Sequence, residues 1–244
     1  MLALSGEEIV RAWEAGRAGS DVDRALAPLA IACPDRDPRE LADLPLGRRD
    51  DLLLSILEQT FTRELRGATA CPACEEKLEF TLRAADLRVR PDPGADSTFP
   101  VAAGSLTAEV RLPTSADLRI AAGAGTTSAA RRALLARCVI RADRQGELVD
   151  AGDLSEEEIG RIAEEMVRRD PQSEVVLELQ CDTCRAVWSA TLEIDAFLWA
   201  EIESAARTLL LDVHTLARAY GWSEGEILRL RPSRRRYYVS LVTG

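Results

Sequence analysis

Two four-residue stretches constrain this chain more than anything else in it: Cys71-Pro72-Ala73-Cys74 and Cys181-Asp182-Thr183-Cys184. A Cys-x-x-Cys pair bends the backbone so that both sulfurs face one point. Two such pairs complete a tetrahedral four-thiolate site of the kind that holds Zn²⁺. The residues after each pair keep one register: Leu78 and Trp188 stand seven places beyond the first cysteine, and Leu82 and Leu192 stand eleven beyond it. Each pair therefore leads into a strand, with Leu78, Phe80 and Leu82 alternating in one and Trp188, Ala190 and Leu192 in the other. A further strand is expected over Val175–Leu179, just before the second pair. The pattern is that of a split zinc ribbon whose halves are separated by residues 75–180. The competing readings are a redox motif or a disulfide. A redox motif would open a helix after a buried strand, whereas here a polar turn precedes a strand. A disulfide needs an oxidising compartment, and the start of the chain, with Glu7 and Glu8 close to it, does not read as a secretory signal. Four cysteines close the coordination sphere and leave no position for a reacting water, so the expected zinc is structural.

A chain of 244 residues with 46% hydrophobic content can bury one substantial core or two small ones. No apolar run approaches the roughly 20 residues of a membrane span, and a cytoplasmic protein is expected. The net charge of −10 argues against a general nucleic-acid binder, since a polyanion is repelled. Lys77 is the sole lysine, so arginine carries nearly all the positive charge. Cys33 and Cys138, outside the two pairs, read as small buried apolar residues.

Along the chain, Ser5-Gly-Glu-Glu8 has capping-box spacing and predicts a helix to about Ala15. Asp21 opens a second through Leu29, and Asp37-Pro38 caps a short third through Ala42. Residues 1–45 read as a helical arm and residues 46–244 as a single zinc-stapled body. A helix from Leu46 shows an apolar face of Leu53, Ile56, Leu57, Thr60, Phe61 and Leu65, with Gly67 as its stop. Asp50 and Asp51 near its start read as complements of the helix dipole. The insertion, residues 83–174, carries a turn at Arg90–Gly94, a strand at Ala108, Val110 and Leu112, a short helix Ala116–Ala121, a glycine-rich loop at Gly123–Gly125, a helix Ala129–Cys138, and a helix capped by Ser155 and Glu158 that ends near Asp170-Pro171. The glycine-rich loop lacks the lysine of a phosphate-binding loop.

The most regular segment begins at Ile194. Leu198, Ile202, Ala205, Leu209, Val213, Leu216 and Tyr220 mark one face of a long helix, the first of the C-terminal helices that fill residues 195–244. Trp199, Leu210 and Leu211 lie off that face and point to a second packing surface, either internal or for a partner. Ser223 and Glu226 cap another short helix, and Pro232-Ser233 a last one carrying Arg234, Arg235, Arg236, Tyr237 and Tyr238. This arginine- and tyrosine-rich end reads either as a partner- or phosphate-binding surface or as a solvated basic end to an acidic body. The candidate partner-binding residues are therefore Trp199, Leu210, Arg234, Arg235, Tyr237 and Tyr238. His214, the one histidine, sits on the long helix, and no nucleophile elbow, HExxH or nucleotide fingerprint occurs. The reading is a non-enzymatic α+β protein: a mostly helical body around a small split zinc ribbon, with a long C-terminal helix.

Several runs carry a resemblance beyond these physical readings. They are Ile194-Asp-Ala-Phe-Leu-Trp-Ala-Glu-Ile202, Leu211-Asp-Val-His-Thr-Leu-Ala217, Ala219-Tyr-Gly-Trp-Ser-Glu-Gly-Glu-Ile-Leu228 and Pro232-Ser-Arg-Arg235 with Tyr238. With Leu46-Gly-Arg-Arg-Asp50, Arg111-Leu-Pro-Thr-Ser115 and the two cysteine pairs, residues 46–244 resemble the phage-type baseplate proteins of contractile injection systems. That family is similar in turn to the baseplate hub assembly chaperones of T-even phages. The resemblance implies a baseplate component or assembly chaperone that binds hub, spike or wedge subunits in the cytoplasm. A zinc-ribbon regulator that binds nucleic acid through Arg229–Arg236 is the alternative. The family's knuckles usually read CPxCG, whereas Glu75 and Arg185 stand at the glycine position here, where a tight, left-handed turn is expected.

Overall fold

The computed structural model describes residues 3–89 and 98–244, so the expected turn at Arg90–Gly94 lies outside the described residues. Helices α1 (Gly6–Gly16), α2 (Asp21–Ala32) and α3 (Pro38–Ala42) start where short-range capping chemistry puts them. Ser5 with Glu8, and Ser20 with Asp23, form reciprocal capping boxes, and Asp37 accepts from the Arg39 N–H ahead of Pro38. These helices are built into the main core and do not stand off as an arm. Val10, Ala12, Ala25 and Leu29 are buried in the same cluster as Leu53, Leu54 and Leu57 of α4 (Leu46–Thr60).

Helix α4 has no side-chain cap of its own, because Pro45 occupies the N-cap position. Its free N–H groups are satisfied from far along the chain. The Leu46 N–H donates to the Pro113 carbonyl at 3.0 Å, and the Gly47 N–H donates to Asp170 Oδ2 at 2.8 Å. A carboxylate at a helix N-terminus also meets the positive end of the helix dipole. Two separate parts of the insertion, around Pro113 and at Asp170, thus cap the N-terminus of α4.

After α4 the chain forms β1 (Glu64–Ala70) and β2 (Lys77–Arg83), an antiparallel hairpin with Cys71–Cys74 in its turn. This corrects the helix expected to continue to Leu65. Leu65 lies in β1 opposite Leu82, and the chain leaves the helix at Phe61. Gly67 is a strand residue that leaves room for the Phe80 ring, since a Cβ there would lie 2.3 Å from Phe80 Cζ.

The insertion has its own core. Strands β3 (Thr98–Ala103), β4 (Leu106–Arg111), β5 (Val139–Arg144) and β6 (Glu147–Leu148) form an antiparallel sheet in that order, with α5 (Ser115–Ala121) and α6 (Thr127–Cys138) between β4 and β5. Helix α7 (Glu156–Arg169) packs with α6 on the sheet, burying Ile159, Ile162 and Met166 against Phe99, Val110 and Leu135. Gln145 and Gly146, both at positive φ, make the tight turn between β5 and β6.

A second hairpin, β7 (Val175–Gln180) and β8 (Val187–Leu192), carries Cys181–Cys184 in its turn and runs into α8 (Ile194–Tyr220). Ile194, Leu198, Ile202, Ala206 and Leu209 form its buried face in the main core. Ala206 takes the central place expected of Ala205, and Tyr220, at the far end, is 41% exposed. Gly221 closes α8 in the left-handed conformation, and α9 (Glu224–Leu228) and α10 (Pro232–Thr243) fold back against it.

Candidate metal centre

The two hairpins are built alike, residue for residue, around their turns. The Cys71 N–H donates to the Glu76 carbonyl and the Glu75 N–H to the Cys71 carbonyl, both at 2.9 Å. The Cys181 N–H donates to the Ala186 carbonyl and the Arg185 N–H to the Cys181 carbonyl, again at 2.9 Å. Both turns close through a residue in the left-handed region, Glu75 at φ 61° and Arg185 at φ 62°. These are the positions where the family pattern expects glycine, and the backbone shape persists although the residue has a side chain. Register matches as well: Leu65 pairs with Leu82 at the base of one hairpin, and Val175 with Leu192 at the base of the other. Leu65 and Leu192 are buried in the main core, whereas Leu78 and Trp188 nearer the tips are only half-buried. The ribbon is therefore rooted in the core and free toward its cysteines.

At the tips the four sulfurs, 71, 74, 181 and 184, lie within 4.8 Å of one another. Cys71 Sγ is 3.5 Å from Cys184 Sγ, and Cys74 Sγ is 3.6 Å from Cys181 Sγ. Neither approach is near the ~2.05 Å of a disulfide. Thiolates arranged tetrahedrally at the Zn–S distance of about 2.3 Å have sulfurs about 3.8 Å apart. The donor set and its spacing therefore fit one soft, four-coordinate cation. Cys71 and Cys181 are buried beneath it and Cys74 and Cys184 are exposed. Backbone N–H groups of Cys184 and Thr183 pull the Cys181 thiol down to about 7. The Glu76 N–H acts to lower Cys74, but hydrogen bonding with the Cys184, Cys181 and Cys71 sulfurs, with desolvation, outweighs it and pushes Cys74 up to about 12. Four thiols this close cannot all ionise without a cation between them.

A second constellation lies where the insertion meets α4. The runs Leu46–Asp50 and Arg111–Ser115 come together here: Pro45 bridges Thr114, and Arg49 Nη1 donates to Ser115 Oγ at 3.4 Å. Arg49 Nε donates to Asp50 Oδ1 at 2.7 Å, and both side chains are buried. Burial pushes the Asp50 carboxyl up to about 6 despite Arg49, and the charges of Asp195 and Asp170 add to the rise. Asp50 is thus part of a buried ion pair, not the dipole complement expected of it. Asp51, half-buried, pairs instead with Arg48 and Arg88. The sequence held a signal for this, since Asp50 falls three and seven places before Leu53 and Leu57 on one apolar stripe. Asp117 anchors the other side. It is desolvated, yet the Arg111 guanidinium, at 2.6 and 2.8 Å, and the Thr114 N–H and hydroxyl hold its carboxyl well below the usual range. Cys138 is fully buried, and desolvation pushes its thiol up to about 11, whereas Cys33 is only partly buried.

A family model described as T4 bacteriophage base plate protein matches residues 14–195. The chain belongs to this baseplate family. No curated protein and no solved structure matches it at a significant level. The matched stretch of this baseplate protein begins inside α1, takes in both knuckles and the insertion, and ends at the second residue of α8. It reaches further toward the N-terminus than the 46–244 resemblance, consistent with α2 and α3 being parts of the main core. It leaves the C-terminal helices outside.

Those helices hold the residues expected to face a partner, and they divide. Trp199 is half-buried on α1, where a Cβ at Gly16 would lie 2.6 Å from Trp199 Cζ3. Leu210 packs partly buried against the main core. Arg235 is buried too, with Nε 2.9 Å from Asp212 Oδ2, so it pins α10 to α8 and is not free for a partner. Tyr238 is half-buried, edge-on to Trp222 at 4.9 Å between ring centroids. Arg234 and Tyr237 remain exposed, and His214 is exposed on α8.

Proposed function

We propose that this chain is a non-enzymatic component or assembly chaperone of the baseplate of a phage-tail-like contractile injection system, and that its four thiolates hold one structural Zn²⁺. The family match over residues 14–195 is the observation that carries the first part, and the closed four-cysteine set carries the second. On this reading Cys71, Cys74, Cys181 and Cys184 bind zinc, and the ion ties the hairpin that follows α4 to the hairpin that starts α8. Four thiolates leave no open position, so zinc here contributes folding energy, which in zinc-finger peptides amounts to about 10–16 kcal/mol at neutral pH. The partners are hub, spike or wedge subunits of the same particle, met in the cytoplasm during assembly. Among the described residues no helix is long and apolar enough to cross a membrane.

The alternative regulator reading gains no support from the arginine-rich end. Arg235 is turned inward, Arg229 lies 4.0 Å from Glu7, and the chain as a whole carries a net charge of −10, which repels a polyanion. The experiment is mass spectrometry of purified particles and of lysate from producing cells, with and without the gene. Enrichment in particles, or loss of assembled baseplates on deletion, is expected. A chain absent from particles and dispensable for them overturns the reading.

A further inference from the structure

We propose that the outward face of α10 is a docking surface for an acidic amphipathic helix of another subunit. The proposal rests on the reading of this chain as a protein that binds other subunits, and it names the chemistry of one such partner.

Helix α10 has two faces with different fates. Its inner face is fixed: Arg235 is held by Asp212, and Tyr238 packs edge-on to Trp222 at 4.9 Å and to Tyr220 at 5.8 Å. With those contacts made, the helix cannot roll to cover its other face. On that face Arg234, Tyr237 and Leu241 are spaced at three and four residues, which lines them up along one side. Tyr237 is 64% exposed and Leu241 57% exposed, so a Tyr–Leu pair at helical spacing stands in water. Isolated exposed apolar residues need no explanation, but an aligned pair on a pinned helix offers an apolar ridge against which a second helix can pack.

Charge selects the occupant. Among the described residues, Arg231, Arg234 and Arg236 make no ion pair, and all three are exposed at the N-terminal end of α10. Arg234 lies over the Tyr238 ring at 5.6 Å, with its Nη2 donating to the Tyr238 hydroxyl at 3.2 Å, and it stays exposed. Pairing α10 with α10 of a second copy would bring two arginine clusters onto one small interface, a like-charge cost. A partner helix with carboxylates flanking an apolar ridge meets both the Tyr237–Leu241 pair and the arginines, which offer bidentate hydrogen bonds to carboxylates.

The test uses the full-length, metal-loaded chain and two labelled helix-forming peptides with leucine on one face. One is flanked by glutamate, and its twin has lysine at the same positions. In fluorescence anisotropy the glutamate peptide should bind at least about tenfold more tightly than the lysine twin, and its affinity should fall as salt rises. The pairs Tyr237→Ser with Leu241→Ser, and Arg234→Glu with Arg236→Glu, should each weaken it by about tenfold or more while metal content and melting temperature stay at wild-type values. Equal binding of both peptides, or unchanged binding by both double variants, overturns the proposal. So does a self-association seen by sedimentation that the same variants dissolve, which would make a second copy the occupant. Tighter binding to phosphatidylglycerol vesicles than to the glutamate peptide overturns it in favour of a membrane. The baseplate reading is scored separately, by wild-type presence in particles, so either idea can fail alone.

Discussion

The sharpest consequence of the fold concerns Gly47. On helix propensity alone, alanine at the second position of α4 should stabilise the protein by about 1 kcal/mol over glycine. The structure reverses that sign. An added Cβ would lie 1.9 Å from Asp170 Oδ1 and 2.6 Å from its Cγ, so the carboxylate that caps α4 must retreat by more than an ångström. Its 2.8 Å hydrogen bond from the Gly47 N–H is then lost, and Asp170, only 8% exposed, is left without that donor. Losing a charge-assisted bond to a buried acceptor costs about 1.5–3 kcal/mol, and forced overpacking about 1–3 kcal/mol. With the propensity gain subtracted, Gly47→Ala should destabilise by about 2–5 kcal/mol, a fall of about 5–15 °C in melting temperature for a chain of this size. Urea and thermal denaturation of zinc-loaded protein measure it, and a double-mutant cycle with Asp170→Ala isolates the contact. The double variant should be clearly more stable than the sum of the two losses predicts, because removing the carboxylate also removes the clash. A Gly47→Ala protein as stable as wild type, or strictly additive losses, would refute the claim that Asp170 caps α4 through close approach.

Other consequences are separable. Replacing Cys71 or Cys181 with serine should abolish the binding of about one zinc per chain and lower the melting temperature sharply, as elemental analysis and calorimetry would register. Arg235→Ala should cost about 3 kcal/mol by stranding Asp212, whereas Arg234→Ala should stay within about 0.5 kcal/mol; equal effects in chemical denaturation would contradict the burial of Arg235. Glu75→Gly and Arg185→Gly should each stabilise the knuckles by about 1 kcal/mol, since each relieves a left-handed backbone, and melting curves without that gain would count against the turn geometry. Asp50 sits at about 6 in the folded protein against 3.8 for a free carboxyl, so the native state binds the extra proton. Its contribution is therefore fully present below about pH 4 and lost as pH rises through 6, by about 3 kcal/mol. The stability difference between wild type and Asp50→Asn should slope across that window and flatten above pH 7, and a difference independent of pH would show that Asp50 is not desolvated.

Much of this protein was legible in its sequence because the deciding signals are local. A capping box is complete within four residues, so α1, α7 and α9 could be placed at Ser5, Ser155 and Ser223 without any knowledge of the fold. The cysteine pairs and the matched strands after them needed only spacing, and the left-handed turns at Glu75 and Arg185 followed from the knuckle itself. What tertiary structure decided lies where the partner is distant in sequence. Leu65 continues the α4 stripe by period, but its strand exists because β2 offers a hydrogen-bonding edge and Gly67 admits the Phe80 ring. The start of α4 carries no local cap, and its donors find Pro113 and Asp170 only once the insertion has folded over them. Arg234 and Arg235 are neighbours of one chemistry, and the backbone gives no local reason to treat them differently. One side of α10 meets Asp212 of α8 and the other meets water, so the first arginine is open to solvent and the second is an internal pin.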